Sequence, residues 1–168
     1  MKQSVLISFA IQFLSFAMPA GSSLGQAIMN IRLRDLDGNQ VSIGQLKGEQ
    51  LTVLDFWATW CKPCVKSIPR ITELSRAYDE KIVRFLGVNE DSPRNQGKVR
   101  PFAQSVGIQY TVLMDPDQEV MTELLVAAFP TLIILNANGK ILYTHEGYTP
   151  GDEQTIKQKI ESFLVDEK

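Results

Sequence analysis

The chain has 168 residues, of which 44 % are hydrophobic and 21 % charged, with a formal net charge of −2. That length suits one domain plus a short extra segment, and the composition can fill a core. The charge balance excludes the strongly basic character that nucleic acid or an anionic surface would call for, and no repeat or low-complexity run is visible.

Lys2 supplies a small positive region at the N-terminus. Residues 5–18 form an apolar run broken by Ser8, Gln12 and Ser15, and small or polar residues follow from Ala20 to Ala27. No charge lies between Lys2 and Arg32. This layout predicts a secretory signal peptide over residues 1–27, cut after Ala27, and a mature domain over 28–168. An uncleaved anchor is the competing reading, but spanning a bilayer takes about 20 apolar residues and this run is shorter. Export implies an oxidising compartment, periplasmic or otherwise extracytoplasmic. A mature chain with two cysteines and no others suits that setting.

Residues 31–36 and 40–43 alternate in polarity around Asp37-Gly38-Asn39, which predicts a β-hairpin. Residues 44–50 read as a connection. Residues 51–56 are apolar on both faces apart from Asp55, so this strand belongs mid-sheet, where Asp55 is expected to be buried. A helix is expected over 62–78, because Val65, Ile68, Ile71, Leu74 and Tyr78 recur on one face, with a kink at Pro69. A strand at 82–88, a polar loop at 91–97, a helix at 99–106, a strand at 110–114 and a helix at 118–127 follow. Strands at 131–135 and 140–148 flank a turn at Asn136-Ala137-Asn138-Gly139. Thr149 as N-cap, Pro150 at the first helical position and Asp152 in the first turn announce a last helix, with Ile156, Ile160, Phe163 and Leu164 facing inward. This order gives an α/β fold with a central mixed sheet flanked by helices.

The only two cysteines stand in Trp60-Cys61-Lys62-Pro63-Cys64, between the buried strand and the long helix. The spacing puts both sulfurs on the first turn of a helix, close enough to bond and separate again, which is a redox arrangement. Ligand number argues against half a zinc site, since structural zinc normally takes four Cys or His ligands and the chain offers one further such candidate, His145. A purely structural bridge closing so short a loop would constrain the unfolded chain little.

Cys61, at the helix N-terminus, is the expected attacking thiol, because backbone N–H groups and the helix dipole favour its thiolate. Cys64, one turn inside, is the expected resolving thiol. Lys62 either adds helpful positive charge or is a solvated side chain. Pro63 removes a backbone donor and stiffens the turn. Trp57 reads as core and Trp60 as an exposed aromatic beside the sulfurs, able to anchor a partner protein. His145 reads as a packed or surface residue. Taken alone, Pro130 reads as a trans proline starting a strand.

The run Phe56-Trp57-Ala58-Thr59-Trp60-Cys61-Lys62-Pro63-Cys64 resembles the active-site segment of the thioredoxin fold, and Pro69, Phe129-Pro130-Thr131 and Gly147 resemble further landmarks of it. The N-terminal hairpin and the strand–helix insertion between Asn89 and Ala127 resemble the TlpA/ResA branch of exported thiol–disulfide oxidoreductases. The resemblance spans about residues 30–165. It implies dithiol/disulfide exchange at Cys61 and Cys64, and a role in cell redox homeostasis. It implies a cis Phe129-Pro130 bond facing the dithiol, with the Phe129 backbone free to pair with an extended client segment. It also implies that Asp55 corresponds to the buried aspartate of ordinary thioredoxins, whereas Ser67 stands where ResA-type members carry glutamate. Asp55 is then an acid–base partner for Cys64, or else a structural acid held by local donors. No cofactor or metal is expected. The partners expected are disulfide-bearing client proteins and an upstream thiol electron donor, with no nucleic acid and no stable membrane insertion after signal cleavage. A thiol peroxidase and a non-catalytic binding or assembly module are the alternatives; Thr59 lies two residues before Cys61, not the three of the peroxidase pattern, and an intact dithiol argues against the module.

Overall fold

The computed structural model describes residues 24–165. Most of the expected signal peptide therefore lies outside the described residues. Helix α1, Leu24–Asn30, runs across the expected cut after Ala27 and buries Ile28 and Met29.

Strand β3, Leu51–Trp57, is the axis of the sheet, with all seven residues buried. It pairs in parallel with β4, Val83–Asn89, and antiparallel with β6, Thr131–Asn136. Strand β5, Thr111–Met114, extends the parallel side. The hairpin of β1, Arg32–Asp35, and β2, Gln40–Ser42, adds antiparallel to β5, and β7, Ile141–Glu146, closes the other edge. The strand order is β2-β1-β5-β4-β3-β6-β7. The hairpin forms where expected: the Asp35 carboxylate accepts from the N–H groups of Asp37 and Asn39, and Gly38 supplies a φ of 85°.

Alternation along β3 sorts its side chains between two cores. Leu54 and Phe56 join Ile28, Leu86, Val88, Leu113 and Ile133 on one face. Leu51 and Val53 join Ile71 and Leu74 of α3, Lys62–Ser75, and Ile156 and Ile160 of α6, Asp152–Val165, on the other. Asp55 follows the odd-numbered set and lies on the α3 face. Trp57 enters a third cluster with Cys64, Ile68 and Val99, and stacks on Phe102 at 5.3 Å.

Several expected boundaries move. Helix α3 ends at Ser75 rather than Tyr78, because the Arg76 cap tightens into a turn; Tyr78 instead stacks on Phe85 at 6.2 Å. The connection at 44–50 begins with a short helix α2, Ile43–Leu46, held by a capping box between Ser42 and Gln45. A 3-10 turn, Pro93–Asn95, lies in the polar loop, and α4 spans Gln96–Ser105, starting before the expected 99. Helix α5 is only Glu119–Glu123, framed by left-handed residues Gln118 (φ 58°) and Leu125 (φ 54°), which end helical geometry on both sides. Thr149 is not the cap of α6. The helix starts at Asp152, whose carboxylate accepts from the Thr149 N–H at 2.6 Å.

Candidate active site

The buried strand β3 ends at Trp57, and α3 starts five residues later with Cys61 as its N-cap. Cys61 and Cys64 are joined in a disulfide, S–S 2.06 Å, with Cα atoms 5.3 Å apart. The Cys64 N–H donates to Cys61 Sγ at 3.2 Å, so a free helix-end donor points at the first sulfur. Cys61 keeps 4 % exposure and Cys64 none. The Ser67 hydroxyl, one turn on, donates to the Cys64 carbonyl at 3.2 Å.

The neighbours predicted from sequence gather here. Trp60 is 63 % exposed and meets the Phe129 ring edge-on at 5.7 Å. Lys62 and Pro63 are exposed on the first turn of α3. The Phe129-Pro130 peptide bond is cis, and the Pro130 carbonyl accepts from the Gly147 N–H at 2.8 Å. Trp57 is fully buried, as expected of core. His145 is packed: its Nε2 lies 3.0 Å from an Asp152 carboxylate oxygen and its Nδ1 shares a 3.3 Å hydrogen bond with the Tyr143 hydroxyl.

Asp55 is 2 % exposed and lines a narrow crevice with Ser67, Ile71, Pro130 and Leu132. Burial pushes its carboxyl up to about 6, against a smaller opposing effect of the Tyr110 hydroxyl, which donates at 2.6 Å. Asp55 thus lies beneath α3 at the turn that follows Cys64.

The loop after β4 was not singled out from sequence. Asp91 accepts from both the N–H and the hydroxyl of Thr59, at 2.8 and 2.7 Å, and from the Asn89 side chain at 2.8 Å. The Glu90 N–H donates to the Trp57 carbonyl at 3.0 Å. These residues clamp the segment that leads into Cys61. A signal existed: Asn89 ends a parallel strand and Glu90 and Asp91 follow it at its carboxyl end, where α/β sheets place their sites.

Glu90 is 2 % exposed, and its carboxyl lies against that of Asp115. Burial, and then the adjacent Asp115 carboxylate, push it up to about 9. A raised acid holds a proton in the folded chain that the unfolded chain releases. Its neutral form therefore favours folding at low pH, and that advantage is lost as pH rises from about 4.5 to about 9. Glu90→Gln is expected to raise unfolding free energy at pH 7 by about 2–3 kcal/mol and to flatten its fall up to pH ~9. Urea midpoints measured across pH test this; an unchanged midpoint at pH 7 rejects it.

A disulfide at the N-terminus of the helix that follows the central strand, with a cis proline leading into the strand paired beside it, defines a thioredoxin-fold thiol–disulfide oxidoreductase. The chain belongs to the Redoxin family, whose sequence pattern matches residues 19–160. It is 31 % identical over 149 residues to the thiol–disulfide oxidoreductase ResA of Bacillus thuringiensis (strain Al Hakam), a match covering 89 % of this chain and 81 % of the relative. Among solved structures it is similar to a protein assigned as thiol:disulfide interchange protein DsbE from Chlorobium tepidum, at TM-score 0.72 and 30 % identity, covering 80 % of this chain and 92 % of that one. StoA from Bacillus subtilis superposes at TM-score 0.65 with 27 % identity, over 77 % of this chain and 95 % of the other.

Proposed function

We propose that this oxidoreductase reduces disulfides of client proteins outside the cytoplasm. The observation that carries the reading is the Cys61–Cys64 pair at the N-terminus of α3, the first cysteine keeping a 4 % exposed edge and the second fully buried. In the reduced protein the Cys61 thiolate attacks a client disulfide, forming a mixed disulfide and releasing one client thiolate. The Cys64 thiolate then attacks Cys61 Sγ and releases the second. The client gains two electrons, the protein ends as the disulfide seen here, and an upstream thiol donor must reduce it again. Cys61 and Cys64 carry the exchange, and Asp55 accepts the Cys64 proton. Trp60, Lys62, Pro63, Phe129 and Pro130 form the surface that a client segment meets.

Export is supported by the N-terminal layout of residues 1–27 and by the kinship with oxidoreductases of the ResA and DsbE type. Among the described residues no helix is long and apolar enough to cross a membrane.

Insulin reduction driven by a small thiol is the direct test. The wild type should precipitate the insulin chains, while Cys61→Ser and Cys64→Ser fall to the uncatalysed rate; reduction by the double Cys→Ser variant at the wild-type rate would sink the reading. The order of attack is checked separately. Alkylation of the reduced protein against pH should show Cys61 titrating below the free-thiol value of about 8.5, because helix-end N–H groups stabilise its thiolate. Faster alkylation of Cys64 would reverse the roles.

A further inference from the structure

The chain carries net charge −2, yet between Asp55 and Glu73 it has Lys62, Lys66 and Arg70 and no acid. All three cations are exposed on α3, spaced four apart, so they form one stripe starting beside Cys61. Lys62 and Lys66 form no ion pair among the described residues, and Arg70 has only a loose contact with Glu73 at 3.4 Å. The first turn of a helix is where the macrodipole disfavours cations, and α3 has no acid there to offset it. Of the acids around the active-site segment, Asp55, Glu90 and Asp91 are buried, while Glu73 and, beside Tyr148, Asp152 and Glu153 lie toward the Arg70 end of the stripe and leave the Lys62 and Lys66 end uncovered. Apolar groups border the same face: Trp60 at 63 % exposure against the Phe129 ring, and Val65 at 45 % beside Cys64. A positive stripe next to an exposed aromatic complements one kind of partner, a chain that is apolar at one position and acidic at its neighbours.

We propose that the face around the disulfide selects client polypeptides whose own disulfide is flanked by an apolar residue and by Asp or Glu. This rests on the reading of Cys61 and Cys64 as the exchange pair and names the substrate class of that site. The apolar residue covers Trp60, and the carboxylates lie along Lys62 and Lys66, holding the scissile sulfur against Cys61. The chemistry is unchanged: the client disulfide is reduced to two thiols while the protein dithiol becomes the disulfide.

The test uses reduced protein in single turnover with three disulfides. Two are synthetic peptides of equal length, each with one disulfide and one Leu, flanked by Glu in the first and by Lys in the second. The third is the small neutral disulfide of 2-mercaptoethanol. At low ionic strength the Glu peptide should react about tenfold faster than the Lys peptide, and salt near 0.5 M should shrink that ratio to about twofold. Lys66→Glu, a change at an exposed position, should bring the ratio to about one or invert it. Equal rates for the two peptides, with the neutral disulfide still reduced, overturn the acidic preference and leave the exchange reading standing. A ratio that ignores both salt and Lys66→Glu overturns it as well. Failure to reduce any of the three disulfides removes the exchange reading and this inference with it.

Discussion

Cys64→Ser is expected to accumulate client proteins as mixed disulfides on Cys61, while Cys61→Ser accumulates almost none. The asymmetry follows from burial. Cys61 keeps a 4 % exposed edge at the start of α3, whereas Cys64 has no exposed surface. A client disulfide can therefore reach Cys61 and not Cys64. Once the mixed disulfide forms, the second thiolate attacks at very high effective concentration, since the two Cα atoms are only 5.3 Å apart. Removing that thiol leaves the intermediate with no internal route forward, and its lifetime then depends on external thiols. A hydroxyl at a position as buried as that of Cys64 carries a desolvation penalty, so Cys64→Ala serves as a second trap without it. Mass spectrometry of species captured in a non-reducing background reads the result and identifies the clients. Equal capture by Cys61→Ser and Cys64→Ser would remove the division of labour between the two sulfurs.

Much of this arrangement is legible in the chain. The apolar run of β3 with its single acid placed Asp55 inside a covered sheet, and the periodicity of Ile68, Ile71 and Leu74 gave α3 its buried face, although Val65, expected on the same face, is 45 % exposed. Turn chemistry at Asp37-Gly38-Asn39 gave the hairpin. Local patterns of this kind report on a residue's own element. They do not report on contacts made by register between strands distant in sequence. Asp91 reaches Thr59 across 32 positions only because β4 pairs in parallel with β3 and ends beside it. The parallel pairing of β4 with β5 sets Glu90 beside Asp115, so Glu90 and Asp91, just before and at the start of a segment that reads as a polar loop, are both buried. The helix expected at 118–127 proved shorter for another reason. Gln118 and Leu125 adopt left-handed backbone conformations that neither residue type announces. The Pro130 isomer was legible only through the resemblance of Phe129-Pro130-Thr131 to a known fold, since a lone proline before a strand reads as trans.

Asp55→Asn is expected to leave first attack by Cys61 near its normal rate and to slow resolution of the mixed disulfide by about 10²-fold, the usual contribution of a positioned general base. Asp55 lies on the α3 face of β3 and lines the crevice beneath Ser67, whose hydroxyl is tied to the Cys64 carbonyl. With its carboxyl raised to about 6, Asp55 is ionised at neutral pH and basic enough to take a proton from a thiol as that thiol attacks. In the wild type, resolution should therefore quicken as pH rises through about 6, and the asparagine variant should lack that inflection. Stability moves the opposite way to catalysis. The folded pKa of about 6 lies above the ordinary value of 3.8, so ionised Asp55 weakens the fold at every pH above that window. Asparagine keeps an oxygen for the Tyr110 hydroxyl and carries no charge. The variant should gain about 2–3 kcal/mol at pH 7 and nothing below about pH 3.8. A structural acid would show the stability gain without the kinetic loss. Stopped-flow traces that resolve the mixed disulfide at the wild-type rate in Asp55→Asn would take Asp55 out of the mechanism and leave it as a charge the fold merely tolerates.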